Sequence, residues 1–288
     1  MIVSNGLKNT ADDRSAHLRL VAYVKKSCSV PMQKFLFKMR ARVSALIDDI
    51  WAWEDIDKTL AIATSTRMEL LQQAAQRPCV CQGQWCAAVV SSIMANNINL
   101  RELCSDIVKA LTLGRHESVP VIVLAGATGG EGKSLFFKGL LAVYGVEWVF
   151  PSPQAGTFPL LNLPGKKVCF LDDWRFDERV LSWPTQCLWY DGSVVPVNRP
   201  QNVPGLQGHL LYGETSPIFA TTKLADIELL RDAARTLPGT SRPQNADASM
   251  IARRLKVFSF TEVPRKPPPT LRSCGRCFAE LVLAQGRS

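Results

Sequence analysis

The chain has 288 residues and a formal net charge of +9; 47% of its residues are hydrophobic and 20% are charged. This composition is typical of a soluble globular protein with an ample core, and no apolar run approaches the roughly 20 residues that a membrane-spanning helix requires. The positive charge favours a polyanionic partner, and by itself it leaves nucleic acid, an acidic protein and a membrane surface open.

The first 30 residues show little hydrophobic periodicity, so we expect a flexible N-terminal segment. Its start is polar and carries Asp12 and Asp13, which argues against a secretory signal. The chain contains nine cysteines. Without an export signal, we expect them to be reduced thiols in an intracellular compartment.

Residues 31–77 are predicted to be helical. Apolar residues recur there at a spacing of four, which places them on one face of a helix: Phe35, Met39, Val43, Ile47 and Trp51. Residues 78–84 interrupt this pattern. A second helical region is predicted over residues 85–113.

Short apolar segments and loops follow. They predict strands at residues 120–125, 147–150, 167–172, 194–198, 217–222 and 255–260. Strands that alternate with helices indicate an α/β fold with a central, mostly parallel sheet. Three consecutive prolines, at 267–269, are predicted to mark the end of the compact domain, so residues 263–288 are expected to form a proline-rich basic tail.

The most specific motif joins the first of these strands to a helix-like segment at residues 135–144. A glycine-rich turn between them ends in Gly132-Lys133-Ser134. In loops of this kind the glycines turn backbone amides toward a polyphosphate, the lysine reaches its β- and γ-phosphates, and the hydroxyl binds Mg²⁺. The sequence therefore predicts an ATP site with Mg²⁺, and the residues predicted to bind the nucleotide are Gly126, Thr128, Gly129, Gly130, Glu131, Gly132, Lys133, Ser134 and Leu135.

A second motif supplies carboxylates for the same site. An apolar strand at residues 168–171 ends in Asp172 and Asp173. Because ligands bind at the carboxyl ends of strands in parallel sheets, both carboxylates are expected to face the phosphate loop. Asp172 is predicted to lie near the metal with Ser134, and Asp173 to orient and deprotonate the attacking water.

The cysteines allow one further metal hypothesis. Cys274 and Cys277 have the spacing of zinc ligands, and Cys79, Cys81 and Cys86 are candidates to join them in one site. The spacing of these three, however, fits no common zinc module. We therefore interpret the C-terminal pair as standing alone, and we expect free thiols and no zinc.

Together these motifs resemble those of the superfamily 3 helicases, in particular the replication initiators of parvoviruses and related small DNA viruses. The resemblance rests on the order of the phosphate loop, the stretch 166–174 with the paired acids, the hairpin-like stretch 191–199, the strand 216–223 and the basic stretch 253–260. It implies a P-loop ATPase core of the AAA+ type over residues 85–262, preceded by a helical oligomerisation or collar-like region at residues 31–84.

The resemblance also implies individual roles. Lys223 takes the sensor position near the γ-phosphate, and Arg254 is the arginine finger that completes the ATP site of a neighbouring subunit. Because Pro200 stands where the family has a hairpin lysine, Arg199 or His209 is expected to contact DNA in its place. The protein would form a ring, usually a hexamer, that hydrolyses ATP and moves along single-stranded DNA during replication, with the nucleus as the compartment where the family works.

Three positions depart from the pattern of the family. Ala127 replaces its first loop glycine, Pro200 replaces a hairpin lysine, and Lys223 replaces an asparagine that polarises the attacking water. These departures favour an alternative, a degenerate relative that binds nucleotide, assembles and is catalytically weak, and that serves as a scaffold or DNA-binding module. A third alternative is a P-loop enzyme that acts on a small molecule, such as a kinase; the paired acids and the basic stretch 253–260 argue against it.

Overall fold

The computed structural model describes residues 2–9, 15–39, 41–200, 210–235, 245–263 and 271–286. These residues belong to two compact units, Met1–Ser65 and Thr66–Ser288. The first unit is helical in its described part, with α1 Ala16–Ser27, α2 Val30–Met39, α3 Val43–Glu54 and α4 Ile56–Thr64.

The N-terminal segment contains more regular structure than its sequence predicted. Helix α1 lies within it and buries Ala16, Leu20 and Val24 against α2 and α3. These three residues recur at a spacing of four. This periodicity was not predicted, because it extends over a single helix of 12 residues. The Trp51 indole of α3 donates a hydrogen bond of 2.8 Å to the Leu7 carbonyl, which attaches the residues before α1 to the same core.

The helical region predicted over residues 31–77 is divided. The chain turns between α2 and α3, so the apolar spacing of four does not continue as one face. Val43 and Ile47 are buried, whereas Phe35 is 53% exposed. The prediction of a single apolar helix face is therefore wrong at its N-terminal end, where Phe35 lies.

The second unit is an α/β structure. Its helices are α5 Arg67–Ala75, α6 Gln84–Ala95, α7 Leu100–Leu113, α8 Lys133–Tyr144, α9 Trp183–Asp191, α10 Leu224–Ala233, α11 Ala246–Arg254 and α12 Gly275–Gln285. Its strands are β1 Val121–Gly126, β2 Val149–Phe150, β3 Val168–Leu171, β4 Val195–Val197, β5 Leu210–Tyr212, β6 Ile218–Lys223 and β7 Leu255–Phe260.

Five of the strands form a parallel sheet in the order β2-β3-β6-β1-β7. Every residue of β1 and β3 is buried, as expected for strands that are covered on both faces. The predicted α/β class with a mostly parallel sheet is confirmed. Strands β4 and β5 form a separate antiparallel pair, of which β5 was not predicted.

The C-terminal segment expected to be a basic tail is folded in its described part. Helix α12 packs against α5, α7 and α8, and its Phe278 is fully buried. The Phe278 ring lies 5.7 Å from Phe136 and 6.1 Å from Trp85, measured between ring centroids. The prediction of a tail was wrong because it rested on the prolines and on the number of basic residues. One face of α12 is apolar and buries Cys277, Phe278, Leu281 and Val282.

Among the described residues, none of the helices is both long enough and apolar enough to cross a membrane.

Candidate functional site

The predicted phosphate loop connects the carboxyl end of β1 to the amino end of α8. Residues 127–130 are exposed at its crest, whereas Glu131 is buried. Gly132 precedes the helix with a φ of 92°, a left-handed conformation that favours glycine. A Cβ on Gly126 would lie 1.9 Å from the Lys133 amine, so glycine at this strand end leaves the lysine its space.

Ala127, which replaces the first loop glycine of the family, is hydrogen-bonded to the end of β7. Its N–H donates a hydrogen bond of 3.1 Å to the Phe260 carbonyl at the end of β7. Ala127 is not among the described residues with positive φ. An alanine therefore fits this position without backbone strain, and the left-handed turns fall on the glycines after it.

Glu131 places an anionic group inside the loop. Its Oε1 accepts hydrogen bonds from the backbone N–H groups of Thr128, at 2.6 Å, and Gly129, at 2.7 Å. Its Oε2 lies 2.7 Å from the Lys133 amine, and this ion pair is nearly closed to solvent because the lysine side chain is 11% exposed. The loop thus binds a carboxylate with the same kinds of donor that would bind a phosphate.

The surroundings of Glu131 keep it ionised. Burial raises the pKa of its carboxyl, but the hydrogen bonds from Lys133 and from the Thr128 and Gly129 amides outweigh burial and lower the pKa to about 2. A carboxyl whose pKa is lower in the folded chain than in the unfolded chain adds stability above its ordinary pKa, and that stability is lost as the pH falls through the folded value.

We therefore expect Glu131→Gln to lower the free energy of unfolding at pH 7, and the deficit to shrink as the pH falls from 4.5 toward 2. Urea denaturation of both proteins at pH 7, 5 and 3 measures this difference. Glu147→Gln removes an exposed carboxylate and is expected to follow the wild-type chain at each pH. A deficit for Glu131→Gln that does not change with pH would contradict this interpretation.

The two predicted acids lie where β3 ends. Asp172 Oδ1 accepts a hydrogen bond of 2.5 Å from the Ser134 hydroxyl and one of 2.7 Å from the Thr221 hydroxyl of β6. These contacts join the phosphate-loop helix, β3 and β6 at one edge of the sheet. The structure therefore brings together the two residues predicted to bind Mg²⁺, Ser134 and Asp172.

Asp173 and Lys223 lie at the same edge. Asp173 has a φ of 49°, and its N–H donates to the Thr221 hydroxyl at 2.9 Å. A left-handed conformation in a residue other than glycine is energetically unfavourable and is often found at functional sites. Lys223 is exposed at the end of β6, opposite Gly126 in the strand register.

The groups at this edge fit the predicted ligands. A hydroxyl and a carboxylate are the hard oxygen donors that Mg²⁺ prefers. The loop amides and the Lys133 amine already hold an anion, the Glu131 carboxylate, so their geometry suits a negatively charged group.

Arg254, the predicted arginine finger, does not join this edge within its own chain. It ends α11, and Leu255, the next residue, pairs with Val121 at the beginning of β1. Its guanidinium lies 2.6 Å from Asp191 Oδ1 and donates a hydrogen bond of 3.4 Å to the Glu117 carbonyl. Arg254 thus lies at the opposite edge of the sheet from the phosphate loop, roughly 17 Å away along the strands.

The predicted DNA-contact residues fall on the segment that connects β4 to β5. Arg199 is half-buried just after β4. His209 lies outside the described residues, as does the rest of the segment from 201 to 209. Strand β4 lies within the predicted hairpin-like stretch 191–199 and pairs antiparallel with β5.

The C-terminal cysteine pair does not stand alone. Cys79 Sγ lies 3.5 Å from Cys277 Sγ and 4.0 Å from Cys274 Sγ, and Cys81 Sγ lies 3.5 Å from Cys277 Sγ. The interpretation of two unrelated groups was wrong because residues almost 200 positions apart meet through the packing of α12, which sequence spacing does not reveal.

Several contributors to the site were missed in the sequence. The Thr221 hydroxyl donates a hydrogen bond to the Asp172 carboxylate. The Ser92 hydroxyl of α6 donates a hydrogen bond of 2.5 Å to the Glu131 carbonyl, and the Ser152 hydroxyl donates one of 2.8 Å to the Asp172 carbonyl. Thr221 could have been found from the sequence, since two consecutive threonines near the end of an otherwise apolar strand indicate polar groups at the carboxyl end of the sheet. The two serines had none.

Comparisons with known proteins give little guidance. No protein family and no curated protein matches the sequence. Two solved structures, both A-form apo structures of the NrS-1 C-terminal region, are similar to this chain with TM-scores of 0.40 and 0.39 and identities of 10% and 14%. The matches cover 69% and 70% of this chain, which spans 43% and 42% of those chains.

Proposed function

We propose that the protein binds and hydrolyses ATP with Mg²⁺, and that it acts as a DNA helicase or translocase of the superfamily 3 type in DNA replication. One observation carries the nucleotide part of this proposal, and the DNA part rests on the resemblance to the superfamily 3 helicases. Ser134 at the start of the phosphate-loop helix is hydrogen-bonded to Asp172, which directly follows β3. Asp172 also accepts a hydrogen bond from Thr221 on β6, the strand between β3 and β1.

Each residue of the site has a separate role in this proposal. The amides of Thr128 and Gly129 and the amine of Lys133 hold the phosphates, while Ser134 and Asp172 hold the metal. When it is bound, Mg²⁺ neutralises phosphate charge and so favours transfer to water. Asp173, exposed beside Asp172, accepts a proton from the attacking water.

Glu131 adds a step before nucleotide binding. Its carboxylate accepts from the same two amides and pairs with the same lysine that the phosphates need. The carboxylate must therefore leave the loop, which frees Lys133. Binding of ATP is then coupled to a rearrangement of the loop, because two anions cannot share one set of donors without strong repulsion.

The proposal extends to DNA and to a second copy of the chain. Arg199 and His209 belong to the connection between β4 and β5, and the net charge of +9 favours binding to the DNA backbone. Arg254 reaches an ATP site only in a neighbouring subunit of a ring, and for this it must leave Asp191. There it would stabilise charge on the γ-phosphate.

The alternative function is a nucleotide-binding scaffold with little turnover. Two observations favour it: the closed Lys133–Glu131 ion pair and the pairing of Arg254 with Asp191. The lysine at position 223 adds to them, since an ammonium group donates hydrogen bonds but cannot accept one from water.

ATP hydrolysis measured with and without single-stranded DNA separates these functions. We expect DNA to stimulate turnover in the wild-type chain, and Lys133→Ala and Asp173→Asn each to lower it on the order of 100-fold or more. Lys138→Ala, an exposed lysine on the same helix, is the matched control and should retain activity.

Tight nucleotide binding without turnover would favour the scaffold, and phosphorylation of a small molecule without any effect of DNA would overturn both functions. DNA binding is expected to weaken steeply as salt rises; a flat response would remove the DNA proposal.

A further inference from the structure

Four cysteine sulfurs lie close together at the amino end of α12. All of them lie within 4.8 Å of one another, and we call the group the cysteine cluster: Cys79, Cys81, Cys274 and Cys277. Three of its members are buried and Cys79 is half-buried, and all four are free thiols. A group of four close thiols with no disulfide among them calls for a chemical explanation.

The sulfur distances match a tetrahedral metal site. Four of the six separations are 3.5, 3.5, 3.7 and 4.0 Å. Four thiolates around one zinc ion, each at about 2.3 Å, lie about 3.8 Å apart. A disulfide would require a separation of about 2.05 Å. An iron–sulfur cluster would hold the sulfurs further apart, because several atoms lie between its ligands.

The backbone also suits metal binding. One pair of cysteines lies on the turn between α5 and α6, where Gln82 and Gly83 have positive φ values of 50° and 81°. The other pair surrounds the amino end of α12, where the helix dipole favours thiolates.

We propose that the cysteine cluster binds one Zn²⁺ ion as a structural site. Four protein thiolates complete a tetrahedral shell and leave no position for water or substrate, which distinguishes a structural zinc site from a catalytic one. The chemistry of the ligands favours zinc among the divalent metals, since an all-thiolate tetrahedral site suits this ion.

A metal ion at this site would connect α12 and α6 to α8, the helix that follows the phosphate loop. Cys277 is followed by Phe278, whose ring packs against Phe136 of α8 and Trp85 of α6. Helix α6 in turn carries Ser92, which holds the Glu131 carbonyl. Zinc would thus fix α12 and the turn before α6 to the helix that begins at Lys133.

Metal analysis of the full-length chain tests the proposal. We expect about one zinc per chain by plasma mass spectrometry in the wild-type protein. Cys79→Ser and Cys274→Ser are each expected to lose most of this zinc. Cys86→Ser is the matched control: this half-buried thiol on α6 is outside the cluster, so its substitution should leave the zinc content unchanged.

A variant that fails to fold would lose zinc for a trivial reason, so a second measurement uses the wild-type chain alone. Zinc is removed with a chelator and Co²⁺ is added. Thiolate-to-cobalt charge-transfer absorption together with the visible bands of tetrahedral Co²⁺ would support the site. Wild-type protein that contains no zinc and gives no such bands would overturn it, as would disulfides within the cluster or iron in place of zinc.

Discussion

Phe278→Ala is expected to lower the free energy of unfolding of the second unit by about 3–5 kcal/mol. The Phe278 ring is fully buried, and it touches aromatic rings on two other helices. Its loss leaves a cavity between α12 and α8, because Gly139 on the facing helix has no side chain that could fill the space. Since domains are typically stable by about 5–15 kcal/mol, this is a large fraction of the total.

Urea denaturation followed by circular dichroism measures this effect. Glu280→Ala on the same helix is the control, because the carboxylate is exposed and its contact is a surface ion pair with Arg276; such pairs contribute about 0–1 kcal/mol. A loss for Phe278→Ala no larger than that of Glu280→Ala would contradict the packing that we describe. Zinc content measured on the same samples distinguishes a packing defect from loss of metal.

Asp172→Asn is expected to lower ATP hydrolysis on the order of 100-fold or more. The change preserves the size of the side chain and one oxygen that can accept from Ser134 or Thr221, so the fold should persist. It removes the negative charge that would hold Mg²⁺ beside the phosphates. We expect the main change to be a much higher Mg²⁺ concentration for half-maximal nucleotide binding.

Nucleotide binding titrated against Mg²⁺ tests this expectation. Asp177→Asn serves as the control, because Asp177 lies a few residues further along the chain and pairs only with exposed Arg179 at 2.7 Å in the contacts described. Its substitution should leave the Mg²⁺ dependence unchanged. If both variants required the same Mg²⁺ concentration as the wild-type chain, Asp172 would have no role at the metal.

The sequence was most informative where one short segment carries its own signal. Strands β1 and β3 are buried on both faces, so they appear as uninterrupted apolar runs. The glycine-rich turn before Lys133 and the acids after β3 were likewise recognisable from local order. Their common location at one sheet edge followed from the rule that parallel strands end together.

Features that depend on distant pairs could not be predicted in this way. Glu131 was assigned to the nucleotide, but nothing local indicates that its carboxylate would turn inward and pair with Lys133. The cysteine cluster and the burial of α12 require contacts across almost 200 residues. The position of Arg254 depends on the ladder between β1 and β7, which places it opposite the edge that carries the loop.

The packing of α12 also has a consequence for how the chain folds. Its contacts with α5 close a loop of about 200 residues, and closing a long loop costs entropy before any contact compensates for it. During synthesis, α5, α6 and α8 leave the ribosome well before α12 does, so their apolar faces stay uncovered in the meantime. The helices behind the phosphate loop are therefore expected to be the last part of the unit to become protected from hydrogen exchange.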